Sequence, residues 1–286
     1  MSEQKPGSTS FNASSSSHPG ASPGASYAAK PFVAPARDLS PRAPLQWLQS
    51  GWKDVCQAPA LSLAWGLVCT LLLAAVAWGA WSLGRWVLLI SVLSGFVFIA
   101  PLLAFTLYSV SRQLSNGIKP SLAQTLAAAR RPFANSLVFA LVLLVIFLLW
   151  ARAASMVYIF FPADAGSGMG GLVSFLFIGS AVGSVFAWIT FAVSAFSLPF
   201  IANRDVDVVT AVVSSINAVL RNQWTMLSWA LVIVLFTAAG FATGLVGFIL
   251  IIPWLAYATW HAYRAALDVS GWKTLLEDGR DSRGQT

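Results

Sequence analysis

Charge is what this chain has least of. Only 9% of its 286 residues are charged, whereas a soluble domain of this size is roughly a quarter charged, and the deficit excludes an ordinary water-exposed globule. Histidine and cysteine number two each. His18 and His261 are too few for the axial and copper-binding histidines of a haem-copper oxidase core. Cys56 and Cys69 lie on the approach to and inside the first apolar stretch, which gives no disulfide framework and leaves Cys69 as a small apolar residue. Also missing are a phosphate-binding glycine loop followed by Lys, paired histidines at metalloprotease spacing and a serine-nucleophile elbow. The sequence therefore assigns no catalytic residue, no cofactor and no metal site.

What remains is apolar: 57% of the residues are hydrophobic, gathered into six long stretches. A hydrocarbon core of roughly 30 Å needs about 20 apolar residues in a helix. Runs such as Leu137 to Trp150 lack the alternation of a membrane barrel strand. The expected fold is all-α integral membrane, with six transmembrane helices arranged as three tandem parallel hairpin repeats, each preceded by a cytoplasmic amphipathic helix. Spans one and two run from about Ala60 to Leu83 and Trp86 to Tyr108. Spans three and four run from about Ser136 to Phe161 and Gly171 to Ile201, joined by the loop Pro162 to Gly170. Span four is over-long, so it is tilted, protruding or broken near Gly179 to Gly183. The apolar run from Trp224 to Tyr263 would be about 60 Å long as one helix, twice the hydrocarbon thickness, so it must turn back, at Gly240 to Gly244.

The membrane domain spans residues 41–268, with repeats at about 45–112, 120–204 and 208–264. Residues 1–40 are rich in Ser, Ala, Pro and Gly and are expected as a disordered cytoplasmic tail, and 269–286 as a polar cytoplasmic tail. The first apolar run begins near Leu61, too far in for a secretory signal peptide. With both termini cytoplasmic, all of the 17 basic residues except Arg85 and Arg152 fall inside, which is the positive-inside pattern of a multi-pass bacterial inner-membrane protein. The net charge of +7 then reports topology and attraction to anionic lipid, and calls for no nucleic acid.

Three stretches align without gaps, beginning at Gly51, Thr125 and Ser215, and share Leu, any residue, an aromatic, a small residue, Leu. Gly95-Phe96, Pro101 and Arg112 repeat as Gly247-Phe248, Pro253 and Arg264 at identical spacing, with Pro199 and Arg204 a shortened version. The leading amphipathic segments carry Leu45, Leu48, Trp52 and Val55 in the first, a capping-box pattern Ser121 to Gln124 in the second, and Val209, Val213, Ile216 and Leu220 in the third, after Asp205 or Asp207 as N-cap. Helices of this kind lie in the interface. Gly179 with Gly183 and Gly240 with Gly244 suit close helix approach.

Ionisable residues within membranes are the usual pointers to function. Arg152 is the one charge inside an expected span, about 24 Å along it and able to snorkel outward. The densest polar cluster is at the inner ends of spans four and six: Arg204, Asp205, Asp207, His261 and Arg264. As neighbours these could form an ion-paired or metal-binding patch, though one His with two carboxylates is a thin ligand set.

The strings Gly51-Trp52-x-Asp54, Ser197-Leu-Pro199, Arg204-Asp-Val-Asp-x-Val-Thr210-Ala and Ala258-Thr-Trp-His-Ala-Tyr-Arg264 resemble the uncharacterised bacterial integral-membrane family catalogued as domain of unknown function 2189, over roughly residues 45 to 268. Where that family often carries a second His before Ala-Thr-Trp-His, this chain has Tyr257. The resemblance implies a six-span inner-membrane protein with no established activity. Absent buried charge, cytoplasmic amphipathic helices and 13 tryptophans lead to the expectation of a non-enzymatic accessory, assembly or lipid-organising protein. Its partners would be the phospholipid bilayer and other membrane proteins or further copies of itself. The alternatives are a small-solute permease or channel and, more remotely, a lipid-modifying enzyme using Asp205, Asp207 and His261.

Overall fold

A computed structural model describes residues 1–2, 32–83, 103–130, 132–160 and 168–275. The turn at Gly84-Arg85, most of the second span with Gly95, Phe96 and Pro101, Arg131, loop residues 162–167 and the tail residues 3–31 and 276–286 lie outside the described residues. The helices are α1 (Ala43–Gln57), α2 (Pro59–Leu83), α3 (residues 103–115), α4 (Leu122–Arg130), α5 (Phe133–Phe160), α6 (Gly168–Ser194), α7 (Ser197–Asn203), α8 (Val208–Arg221), α9 (Gln223–Ala242) and α10 (Phe248–Ala266). Two isolated bridges, Ala36 with Leu267 and Arg204 with Thr274, are the extended pairings among the described residues.

Among the described residues four helices are long and apolar enough to cross a membrane: α2, α5, α6 continued by α7, and α9. The expected sixth span, α10, is 19 residues long, about 28 Å at 1.5 Å per residue. Its last turns carry Trp260, His261, Tyr263 and Arg264, so its purely apolar part is shorter than the others.

Each of the three leading helices breaks at the equivalent aligned position, seven residues into the shared stretch: at Ala58, Pro132 and Asn222. The break is sealed alike in the first two. Ser62 donates its hydroxyl to the Ala58 carbonyl and Ser136 to that of Pro132, and both serines are buried. The first positions of the shared stretch, Gly51, Thr125 and Ser215, are buried in all three.

These helices turn several large apolar side chains outward and bury small or polar ones beside a few apolar ones. On the apolar stripe of α8 Val209 is 60% and Leu220 50% exposed, while Val213 is half-buried and Ile216 is half-buried against the core. The buried face is mostly small or polar, with Thr210, Ala211, Ser214, Ser215 and Ala218 beside Val208 and Val219. On α4 Leu122 and Leu126 are exposed while Thr125 is fully buried. On α1, of the stripe expected from its spacing, Leu45 and Trp52 are exposed, and the helix instead buries Trp47, Gly51 and Asp54 along with Val55. Apolar side chains turned outward are stable only against lipid, and hydroxyls turned inward are stable only when bonded. Both N-caps form. Asp207 accepts from the Thr210 N–H at 2.8 Å and Ser121 from that of Gln124 at 3.3 Å. The reciprocal half of the capping box does not, because the Ser121 N–H is taken by the Gln113 side chain instead.

Span four breaks, but not at its glycines: α6 runs unbroken through Gly179 and Gly183 and ends at Ser194. Pro199 is the cause, since it has no N–H for the Ala195 carbonyl and its ring crowds that turn. Ser215 of α8 then inserts into the opened ladder. Its hydroxyl accepts from the Phe196 N–H at 3.1 Å and donates to the Ala192 carbonyl at 2.7 Å, the two groups that would otherwise bond each other. The turn between α9 and α10 falls at 243–247, where Gly244 (φ 61°) and Leu245 (φ 73°) are left-handed and the Thr243 hydroxyl bridges the Gly240 carbonyl and the Gly247 N–H.

Pro253 inside α10 likewise removes the N–H that would meet the Ile249 carbonyl. That carbonyl sits against Gly66 of α2, where an added methyl would lie 1.8 Å from its oxygen. Gly51 of α1 approaches α10 the same way, with a methyl there 2.7 Å from the Ala258 nitrogen. Gly240 is packed under the Phe248 ring, whereas among the described residues nothing meets Gly183 and only Val157 meets Gly179, at ordinary contact distance, so no close approach at the Gly179 pair is made among them.

The disordered tail expected up to residue 40 is ordered at its inner end. Ala34 is fully buried and its N–H meets the Ser214 hydroxyl; Arg37 N–H bonds the Ala266 carbonyl; Leu39 N–H and the Arg37 carbonyl are both held by the Asn222 amide. The start of the expected polar tail is ordered too, with Asp205 N–H bonding the Lys273 carbonyl and Trp272 set edge-on against Phe200. Composition misreads both segments because backbone groups and one aromatic hold them. Together with the ends of α7, α8 and α10 they form a belt, and the largest buried side chains, among them Trp229, Trp260, Tyr263, Phe196 and Phe200, lie close to it.

Candidate functional site

Because Gly51 lets α1 and α10 meet backbone to backbone, the two helices run side by side in the same direction. Trp254 Nε1 donates to the Leu48 carbonyl at 2.9 Å, Gly51 lies against Ala258, and one turn on Asp54 faces His261. His261 Nε2 is 2.9 Å from Asp54 Oδ2, and since a carboxylate only accepts, this nitrogen carries the proton. The Ser111 hydroxyl of α3 donates to the same oxygen. The Asp54 side chain is 10% exposed and that of His261 24%. One turn back along α10, Tyr257 bonds Ser62 at 2.9 Å; Ser62 already gives its proton to the Ala58 carbonyl, so the tyrosine is the donor. A seam of polar groups thus joins α1, α2, α3 and α10 inside an apolar packing of Val55, Leu107, Val110 and Trp65.

The residues singled out from sequence are given separate tasks. Arg204 Nη1 donates to the Trp272 carbonyl at 2.7 Å, and the Asp205 N–H reaches the same terminal segment. Asp207 caps α8, His261 belongs to Asp54, and Arg264 is exposed on the last turn of α10. Among the described residues no group of three His, Cys, Asp or Glu side chains is placed to hold a metal ion. Arg152 is exposed on α5, eight residues before its end at Phe160, or about 12 Å, within reach of the headgroups by snorkelling. Arg112, which the repeat pattern pairs with Arg264, is buried, and its Nη1 donates to the Ala202 carbonyl at 3.0 Å.

Sequence reasoning missed Asp54, Ser111 and Ser215. The signal for Asp54 was its position three residues after Gly51, since a glycine at a helix contact brings the next turn within bonding distance of the neighbour. Serines give no such signal, because a hydroxyl on a helix usually bonds its own backbone.

The belt's carboxylates are tuned by their neighbours. Asp38 is held below the ordinary carboxylate range by the hydrogen bond and charge of Arg221, and Asp268 by bonds from Ser270 and the charge of Arg37. Burial pushes Asp207 up, but the Thr210 and Val209 N–H groups and the Thr210 hydroxyl outweigh it and the net shift is downward. A depressed carboxylate stabilises the fold above its unfolded pKa, near 3.9, and loses that contribution as pH falls through the folded value. Amide exchange of Arg37, Leu39 and Asp268, corrected for the intrinsic rate, is therefore expected to stay flat from pH 8 to 5 and to rise below about pH 4. The Asp38–Arg221 pair is solvated, so raising salt at neutral pH should change these amides little.

Residues 88–203 match the family described as "Predicted integral membrane protein (DUF2189)". The resemblance read from the motifs is thus shown over the middle of the chain, with Ser197-Leu-Pro199 inside the matched stretch, and the protein is an integral membrane protein. No curated protein and no solved structure matches the chain.

Proposed function

We propose that this protein is a non-enzymatic accessory, assembly or lipid-organising partner of other proteins in a bacterial cytoplasmic membrane. Its six spans form three tandem hairpins, with both termini and the belt on the cytoplasmic side. The observation that carries the role is the bare α5–α6 hairpin. In its most apolar stretches 11% of the α5 residues and none of the α6 residues are buried, and Leu149, Val173 and Phe177 among others stand exposed, so much of its surface is offered to neighbours. A groove of about 290 Å³ runs between the two helices, lined by Trp150, Val157, Phe175, Gly179 and Gly183. Small residues along a helix groove let a second helix approach closely, and packing is the main attraction between helices in lipid.

The repeat is supported by the helix breaks at Ala58, Pro132 and Asn222, which fall at one aligned position. The orientation is supported by the described basic residues, all of which lie on or beside the belt and the leading helices except Arg152.

Cross-linking in native membranes followed by affinity purification tests the role. Expected are discrete membrane-protein partners cross-linked through α5 or α6, whereas recovery of an uncross-linked monomer would refute it. Gly183→Leu sharpens the test: nothing within 4 Å opposes the new side chain, so thermal stability in detergent should change by less than about 0.5 kcal/mol while the cross-linked yield falls. Solute flux in proteoliposomes without any captured partner would instead install the permease reading.

A further inference from the structure

The interfacial helix α8 has two faces with different attachments, and each is specific. Outward lie Val209 and Leu220, with half-buried Val213 between them, followed at the start of α9 by Trp224, 84% exposed. Inward, the Ser215 hydroxyl occupies the gap in the fourth span, bonded to Ala192 before the break and Phe196 after it, while Ser197 of α7 reaches the Ala211 carbonyl of α8 at 3.3 Å. Pro199 removes a second helical bond, the one to the Ala195 carbonyl, about one turn on, so two rungs of the ladder near the joint of α6 and α7 are missing and Ser215 of α8 stands in for the first. At its far end α8 passes to α9 through the single residue Asn222.

From this geometry we infer that α8 is a lever that reads the bilayer: its apolar edge follows the hydrocarbon boundary, and Ser215 converts its depth into the bend angle of the fourth span. The bilayer is the partner because the outward stripe is apolar and lies between two membrane spans, continuous with Trp224 at the interfacial level. A mismatch between an apolar surface and the local hydrocarbon thickness costs fractions of a kcal/mol per Å. That suffices to move a joint from which two ladder bonds are absent, but not a continuous helix. The chain's membrane embedding is all this requires; the role assigned to the α5–α6 groove can fail independently.

The lever arm makes the motion measurable. Phe177 of α6 is 74% exposed and lies about 27 Å from the break at 1.5 Å per residue, so a bend change of about 10° moves it about 5 Å. Spin labels at Phe177→Cys and Phe241→Cys of α9, in a Cys56→Ser, Cys69→Ala background, report the distance by pulsed electron resonance. The full chain is reconstituted in phosphatidylcholine bilayers with 14-carbon or 18-carbon acyl chains. The expected result is a shift of several ångströms between the two lipids, abolished by Ser215→Ala. Val209→Gln with Leu220→Gln alters only the outward edge, leaves the Ser215 splice intact, and should abolish the shift too. No shift in the parent chain overturns the inference. So does a full shift in the Val209/Leu220 variant, or in Ser215→Ala if that variant folds.

Discussion

Replacing Gly66 with leucine is expected to unseat α2 from α10 and cost about 3 kcal/mol or more, at the upper end for an overpacked contact. Even a methyl at this position would stand 1.8 Å from the Ile249 oxygen and 2.7 Å from its carbon. Those atoms are backbone inside a helix, so no rotamer change relieves the clash and α2 must move. The contact exists because of Pro253: without its N–H, the Ile249 carbonyl has lost its helical donor, and the bare Gly66 backbone is what can come near enough to cover it. Gly79→Leu, also on α2 but with nothing within 4 Å, is the matched control and should be close to neutral. Thermal unfolding and size-exclusion profiles in mild detergent separate the two. Equal stability of both variants would mean that α2 is not seated as described. Gly66→Ala should fall between them, since only a displacement of the helix can admit the methyl.

That pairing shows why some of this fold could be read from sequence and some could not. Apolar run lengths announced helices of membrane-spanning length, and the glycines from 240 to 244 announced the turn that the chain makes at 243–247. Patterns at helical spacing also found the outward stripe of α8. They did not tell which way it faces, because an amphipathic stripe looks the same whether its surroundings are protein or lipid. The break in the fourth span depended on Pro199, which sequence marks, and on Ser215, which it does not, since the partner comes from another helix. Likewise His261 was singled out for its chemistry, but its company was expected in Asp205 and Asp207, its neighbours by repeat pattern. Its actual partner lies 207 residues earlier in the chain. Close helix approach at Gly51 decides that pairing, and it is a property of two surfaces together.

Removing either member of that pair should therefore be costly, and unequally so. Asp54→Leu deprives two donors of one acceptor. Ser111 can turn its hydroxyl back to its own helix, as helical serines do, and His261, a quarter exposed, can find water. A loss of about 2 kcal/mol is expected, in the range for a buried donor left unmade. His261→Leu leaves a carboxylate only 10% exposed with a single neutral donor, and such a group cannot be solvated where it stands. Breaking a buried pair from this side costs about 3–5 kcal/mol. Asp54→Asn keeps an oxygen for both donors and should lose only about 1 kcal/mol. The double variant Asp54→Leu, His261→Leu should be more stable than His261→Leu alone, because it removes the stranded charge. The coupling energy from the four-member cycle is expected at about 1–3 kcal/mol. Additive effects, or an Asp54→Leu loss exceeding that of His261→Leu, would show that the seam is held by packing at Gly51 and not by its charges. The same cycle read out by proteolysis of the N-terminal strap tests how far the pair acts. Asp54 lies on α1, directly after the segment bound to α8 and α10, so loosening α1 should speed cleavage near residues 32–40 in proportion to the stability lost.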